Sequence, residues 1–308
     1  MARVGVLGDG AWGTALAVHL ACNGHVTALW GHRPERIAAL VETRENKRYL
    51  PGVGFPDLLA PEADLAQVAA GADFLLVAVP SVAFAETLGA LAPHGEAPVL
   101  WATKGLDPES GRPLHEGARD LLDKRRGLGV LSGPSFAAEV ARGLPTAVTV
   151  AATTKALARR FAELFHGAHF RAYVSTDLVG VELGGAAKNV VAIAAGISDG
   201  LGFGANARAG LITRGLAEIQ RLGDALGAQP ATLTGLAGLG DLVLTATDDQ
   251  SRNRRFGLEL GRGASVAEAR KRIGAAIEGI AAARAVTRLA RELEVEMPLG
   301  EEGRAGIA

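Results

Sequence analysis

Between Glu182 and Asp199 the chain carries one charged residue, Lys188, in the run Leu183-Gly-Gly-Ala-Ala-Lys188-Asn189-Val-Val-Ala-Ile-Ala-Ala195. An ammonium in such surroundings either snorkels to water along its stem or is paired and used. Small apolar residues flank it on every face, so the helix reads as buried all round rather than amphipathic. That favours a working lysine. Lys104 leaves an apolar strand in Thr103-Lys104-Gly105, and Asp241 follows the glycine-rich turn Gly238-Leu-Gly240. Downstream, Ser251-Arg252-Asn253-Arg254-Arg255-Phe256 packs a hydroxyl, an amide and guanidinium donors together, a combination suited to a phosphate monoester. Arg254 and Arg255 read as a solvated basic helix start. Gly133 and Ser135, in Ser132-Gly-Pro-Ser135, either offer backbone and hydroxyl groups to an anionic or hydroxylated substrate or form a plain Gly-Pro turn.

A second constellation lies at the N-terminus. Gly8-Asp9-Gly10-Ala11-Trp12-Gly13 follows a β-type run and precedes a helical one. Gly8 permits a tight turn, Gly10 lets the backbone approach a pyrophosphate, and Gly13 allows close helix–strand packing, with the helix N-terminus supplying positive potential. An NAD-specific site offers Asp or Glu to the ribose roughly 20 residues further on. This chain offers Gly31-His32-Arg33 there, without a carboxylate, and Arg33 suits a 2′-phosphate. NADPH is the expected cofactor, with NADH also possible.

The elements that must position these groups alternate through the first half. Strands are expected at Arg3 to Leu7, His25 to Trp30, Phe74 to Val79, Val99 to Ala102, around Val130-Leu131, Thr146 to Ala151 and His169 to Val174. Helices are expected from about Trp12 to Asn23, with Gly24 as the stop, and from Pro34. This alternation reads as α/β: a Rossmann-type doubly wound sheet. From about Asp177 the β signals stop, and helical periodicity runs through Arg214 to Leu226, Val266 to Ile273 and Glu278 to Leu293. The expected domains are therefore 1–174, dinucleotide-binding, and 175–308, an all-α domain for substrate and catalysis, with the boundary near Ser175.

A net charge of −1 argues against nucleic acid as a partner. The apolar run is interrupted by Lys188 and Asp199 and so reads as too short for a membrane span, and no integral membrane contact is expected. A single cysteine, Cys22, and no signal peptide ahead of the first strand point to the cytoplasm. The seven histidines show no HxH or HExxH spacing, so no metal is expected.

Taken together, these motifs resemble the bacterial NAD(P)-dependent sn-glycerol-3-phosphate dehydrogenase family. The resemblance rests on Gly8 to Ala17, Trp30-Gly31-His32, Asn46-Lys-Arg-Tyr49-Leu-Pro51, Ala102-Thr-Lys104-Gly105, Ser132-Gly-Pro-Ser135, Gly184-Gly-Ala-Ala-Lys188-Asn189, Asp199 to Asn206, Gly238-Leu-Gly-Asp241 and Gln250 to Phe256. It implies reduction of dihydroxyacetone phosphate to sn-glycerol 3-phosphate for glycerophospholipid synthesis, in a homodimer. It implies Lys188 as acid/base, supported by Lys104 and Asp241, and substrate contacts from Lys104, Gly133, Ser135, Lys188, Asp241, Ser251, Arg252 and Asn253. For the cofactor it implies Ala11, Trp12, His32, Arg33, Tyr49, Lys104, Ala137, Arg252, Ala276 and Glu278, beside the three glycines. Two rival readings stay open here. A related β-hydroxyacid-type dehydrogenase would not require the Ser251–Phe256 segment, and a nucleotide-sensing protein without catalysis would not require Lys188.

Overall fold

The computed structural model describes residues 1–274 and 277–305. By internal contacts it divides into two compact units: residues 1–103, 115–131 and 135–178, and residues 104–114, 132–134 and 179–308. Two short segments from the first half of the chain, carrying Lys104 and Gly133, thus belong to the second unit, which resumes at Val179 rather than at Ser175.

The first unit is built on a sheet of β1 (Arg3–Leu7), β2 (Val26–Trp30), β3 (Leu59–Glu62), β4 (Phe74–Val77), β5 (Val99–Trp101), β6 (Leu128–Ser132), β7 (Thr146–Ala152) and β8 (Phe170–Ser175). The spatial order is β3-β2-β1-β4-β5-β6-β7-β8. Pairings from β3 through β6, and of β7 with β8, are parallel. Helices α1 (Ala11–Cys22), α2 (Pro34–Thr43), α3 (Leu65–Ala70), α4 (Phe84–Leu91), α5 (Leu114–Leu121), α6 (Ala137–Ala141) and α7 (Lys155–Phe165) accompany it. Strand order reverses at β1 and β4, the switch point beyond whose carboxyl ends open α/β sheets bind ligands. Strand residues Val6, Leu29, Leu76 and Leu100 share one core with Leu16 of α1 and Phe161 of α7.

The sequence reading missed β3. Its Leu-Ala-Pro-Glu composition includes a proline, which cannot donate to a ladder and so argues against a strand. The structure resolves the conflict by placing β3 at the sheet edge, where one ladder suffices.

The second unit is helical: α8 (Leu178–Gly200), α9 (Gly204–Ala225), α10 (Pro230–Leu233), a π-helical turn (Leu236–Gly240), α11 (Asp241–Thr247), α12 (Arg252–Gly261), α13 (Val266–Ile273), α14 (Glu278–Glu292) and α15 (Pro298–Ala305). Helix α9 begins ten residues before the periodic stretch at Arg214. The expectation that the run around Lys188 is too short for a span is corrected. Lysine is a good helix former, so α8 continues through it for 23 residues and is long and apolar enough to cross a membrane by length and composition. Its most apolar stretch is 89% buried within the protein, as in the core helix of a folded domain. Helices α8 and α12 meet on glycines: a Cβ at Gly196 or Gly257 would strike the facing backbone at Arg254 or Ile193. Small residues in α8 therefore draw the start of α12 onto the turn that carries Lys188.

Candidate active site

Lys188 sits in the fully buried middle of α8, 6% exposed, and does not snorkel. Its ammonium donates to Asp241 Oδ1 at 2.5 Å and to Thr245 Oγ1 at 2.9 Å. Asp241 is the first residue of α11, where the helix dipole favours a carboxylate. Thr245, one turn later, shares its face. The other carboxylate oxygen, Oδ2, accepts from Lys104 at 2.6 Å, and the same ammonium donates to the Gly133 carbonyl at 3.1 Å. One buried carboxylate is thus clamped between two lysines, and the three side chains together carry one positive charge in excess. All belong to the second unit.

The electrostatics follow from burial and charge. Burial lowers the Lys188 pKa from 10.5 to about 8; Asp241 opposes this and Lys104 adds to it. Burial works to raise the Asp241 carboxyl, but the two ammoniums override it and hold the group below the ordinary carboxylate range. The cluster can therefore keep Lys188 protonated near neutrality and still release that proton, and its excess charge suits an oxygen on which negative charge develops.

Around α12 the expected residues separate. Arg252 is exposed at the first position of the helix and makes no hydrogen bond or ion pair among the described residues. Ser251 is buried and caps the helix, accepting from the Arg254 amide at 3.2 Å. Asn253 is also buried: its Nδ2 donates to Asn189 Oδ1 at 2.9 Å, and its Oδ1 accepts from the Gly279 amide at 2.9 Å. Asn189 Nδ2 is left buried without a hydrogen-bond partner among the described residues. Arg254 corrects the sequence reading. It is not solvated but buried, ion-paired with Asp199 and bonded to Asp249 at 2.9 Å, because the α8–α12 contact encloses it. Arg255 is exposed, as expected.

In the first unit the glycine loop has the geometry its spacing implies. Gly8 has φ +125° and no room for a Cβ against the Ala78 carbonyl, and a Cβ at Gly13 would collide with Gly8. Gly10, by contrast, has nothing within 4 Å of where its Cβ would stand. The loop fits a dinucleotide: open space lies over Gly10 at the α1 N-terminus, whose first amides have no intrahelical acceptors. Trp12 Nε1 is buried there without a partner among the described residues. Ala11 opens α1, Ala137 opens α6, and half-buried Ser135 lies just before α6. His32 and Arg33 are exposed after β2, with Arg33 Nε donating to the His32 ring at 3.2 Å. Tyr49 is exposed, with the guanidiniums of Arg36 and Arg48 over its ring at 5.1 and 5.4 Å.

Sequence reasoning overlooked several residues. Thr245 was findable as the i+4 neighbour of Asp241 on a helix. Asn46 lay in a quoted motif but without a role; its amide donates to the Asp9 carbonyl and to Thr14 Oγ1, both at 2.8 Å, pinning the glycine loop. The expectation that no carboxylate reaches the end of β2 is overturned by Asp9, whose side chain fills the space beside Gly31 and pairs with Arg36. A residue upstream of the strand supplies what a search downstream of it could not find. Glu278 opens α14, half-buried, while Ala276 lies outside the described residues. No group of His, Cys, Asp or Glu among the described residues has metal-ligating geometry.

Residues 3–158 match the family model for the NAD-dependent glycerol-3-phosphate dehydrogenase N-terminus, and residues 177–303 match that for its C-terminus. Glycerol-3-phosphate dehydrogenase [NAD(P)+] of Thioalkalivibrio sulfidiphilus is 59% identical over 298 residues, 96% of this chain and 90% of that protein. The protein of the same name from Shewanella sediminis is 54% identical over 304 residues, 98% of this chain and 90% of its own length. Among solved structures, glycerol-3-phosphate dehydrogenase from Coxiella burnetii superposes with a TM-score of 0.96 at 45% identity, covering 99% of this chain and 94% of that one.

Proposed function

The chain belongs to the NAD-dependent glycerol-3-phosphate dehydrogenase family, an oxidoreductase family using NAD(P), and from that premise we propose which residues carry its chemistry. The enzyme interconverts dihydroxyacetone phosphate and sn-glycerol 3-phosphate. When bound, the reduced nicotinamide supplies the hydride for the ketone carbon. Lys188 donates the proton to the ketone oxygen as charge grows there, and Lys104 adds the second positive charge that stabilises this oxygen. Asp241 orients both ammoniums, and Thr245 fixes the Lys188 rotamer. Arg252 meets the phosphate, whose binding energy is spent on orientation. The unpartnered Asn189 amide is a further donor to substrate, held in place by Asn253. Gly133 contributes through its bond to Lys104, while Ser135 and Ser251 complete the polar lining.

The single observation that carries this reading is a buried carboxylate shared by two lysines, one of them with a pKa lowered to about 8. The test is oxidation of NADPH and of NADH on adding dihydroxyacetone phosphate. Turnover with the phosphorylated ketone and little with dihydroxyacetone supports it. Equal turnover of the two ketones would point to another hydroxyacid-type dehydrogenase, and binding without turnover to a nucleotide sensor.

The glycine loop, Ala11, Trp12, His32, Arg33, Tyr49, Ala137 and Glu278 are proposed as cofactor residues. NADPH is proposed as the preferred form, on the strength of exposed Arg33 and of the segment Gly31-His32-Arg33, which carries no acid directly after β2. Arg33→Asp is expected to weaken NADPH at least ~10-fold more than NADH, through a lost charge-assisted contact and added repulsion; an unchanged ratio of the two specificity constants removes Arg33 from the site. Supply of glycerophospholipid synthesis, a cytoplasmic location and a homodimer complete the proposal.

A further inference from the structure

The glycine loop contains a group that its fingerprint does not require. Asp9 stands between the first two glycines with its side chain 7% exposed, and it turns towards the end of β2. A Cβ at Gly31 would lie 2.6 Å from Asp9 Cγ and 2.9 Å from Oδ1. In dinucleotide folds the end of the second strand is where an acid accepts the ribose 2′-hydroxyl. Here Gly31-His32-Arg33 offers none, yet the folded loop brings one to that place.

The carboxylate is not free. Arg36, in the first turn of α2, donates Nε to Asp9 Oδ2 at 2.8 Å, and its Nη2 reaches the same oxygen. The guanidinium lies 5.1 Å from the centre of the Tyr49 ring, which limits its movement. The Asp9 backbone is pinned by Asn46, and a cavity of about 200 Å³ opens beside Asp9, Arg36, Asn46 and Tyr49. Every member of this arrangement belongs to the first unit.

We infer that Asp9 and Arg36 are a specificity-determining pair for the dinucleotide: Arg36 masks a carboxylate that would otherwise select a ribose diol, and so makes the site tolerant of the 2′-phosphate. An exposed carboxylate repels a phosphate dianion and accepts from a hydroxyl, whereas the same carboxylate neutralised by a guanidinium does neither strongly. This rests on the dinucleotide reading above and deepens it. Arg33, the residue that sequence alone suggests, would then act on a site whose charge is already set by the pair behind it.

The experiment titrates NADPH and NADH separately against the full-length protein, following intrinsic tryptophan fluorescence, for the parent, Arg36→Met, Asp9→Asn and the double variant, with melting curves of each without ligand. Arg36→Met is expected to weaken NADPH by at least ~10-fold and NADH by less than ~3-fold, since it unmasks Asp9. Adding Asp9→Asn should bring NADPH back to within ~3-fold of the parent, a coupling that a double-mutant cycle reads directly. Asp9→Asn alone completes that cycle, and a loss of NADPH affinity as large as that of Arg36→Met would make Asp9 a support of the loop and overturn the inference. Equal weakening of both dinucleotides by Arg36→Met, in step with a fall in melting temperature, would make Arg36 a prop of the loop and overturn the inference. Failure of Asp9→Asn to restore NADPH would overturn it too, since Arg36 would then act on the phosphate directly. If Arg36→Met does not fold, Arg36→Lys keeps the charge; it should hold the NADPH-to-NADH ratio within ~3-fold of the parent, and a ratio that collapses despite the retained charge overturns masking. A parent that binds neither dinucleotide sinks the dinucleotide reading and this inference with it, whereas a parent that binds without rescue in the double variant sinks this inference alone.

Discussion

In the second unit Asp241 and Asp199 are each a carboxylate held between two cations. At Asp241 the cations are Lys104 and Lys188, and at Asp199 they are Arg208 and Arg254. In both, burial works against the charged carboxylate and the cations override it, so both aspartates are held below their ordinary range. The difference lies in the cations. Guanidinium does not give up its proton in a protein, and Arg254 has a second carboxylate, Asp249, so that cluster is balanced and inert. Ammonium shifts readily on burial, and the Lys188 pKa is lowered to about 8, so the other cluster is unbalanced and poised. One arrangement ties helices together and the other is equipped to move a proton. The choice of lysine or arginine separates scaffold from chemistry more sharply than the geometry does.

The strongest way to break this contrast is Lys188→Met, which keeps the volume of the stem and leaves Asp241 paired with Lys104. A fall in kcat of at least ~1000-fold is expected, combining the loss of a general acid with the loss of positive charge at the developing alkoxide. NADPH affinity should stay within a few-fold and the melting temperature should hold or rise, because a buried charge has gone. A folded variant retaining more than about a tenth of parental kcat would end the claim that this cluster moves protons.

Arg252→Ala sharpens it from the substrate side. This arginine is exposed and makes no hydrogen bond or ion pair among the described residues, so its loss should lower kcat/KM for dihydroxyacetone phosphate by ~30- to ~1000-fold while sparing unphosphorylated dihydroxyacetone. Equal losses on both ketones would assign it to the cofactor or the scaffold.

Two residues along the same helix, Arg254→Ala should do the opposite. Denaturant unfolding should show a loss of about 3 kcal/mol, the low end for a broken buried pair because Arg208 stays on Asp199. The kcat of the folded fraction should change little; a large kcat loss without destabilisation would reverse the two clusters' roles.

The smallest effect is one of pH. In the proposed mechanism reduction draws its proton from Lys188, so kcat/KM for the ketone should be level below about pH 8 and fall up to tenfold per unit above it. Stability should move the other way. The unfolded chain binds a proton at Lys188 up to its ordinary pKa of 10.5, so between about 8 and 10.5 this residue's contribution rises with pH. A pH–rate profile without the alkaline limb would show that another group supplies the proton.

Much of the molecule was legible without coordinates, and for identifiable reasons. Seven of the eight strands were readable as β-type runs, and those at β4, β5 and β6 are largely apolar and buried at every residue. Each loop glycine has one local task, and Gly8, Gly10 and Gly13 each show the clearance their spacing implies. Lys188 stood out because charge is rare in an apolar helix. Strand β3 was hidden by Pro61, since only its place at the edge makes a proline tolerable.

What sequence determined by itself is therefore the local and the periodic: the alternation of strand and helix, the turn at the glycine loop, and the presence of one lysine where none should rest unpaired. Tertiary structure alone decided the partnerships. Lys104, Lys188 and Asp241 are separated by 84 and 53 positions along the chain and meet within hydrogen-bonding distance, Asn46 reaches back 37 residues to the Asp9 carbonyl, and Arg36 claims the Asp9 carboxylate. The reason is physical. A backbone preference acts over a few residues and leaves its mark on them, whereas the charge state of a buried side chain depends on whatever the folded chain brings beside it.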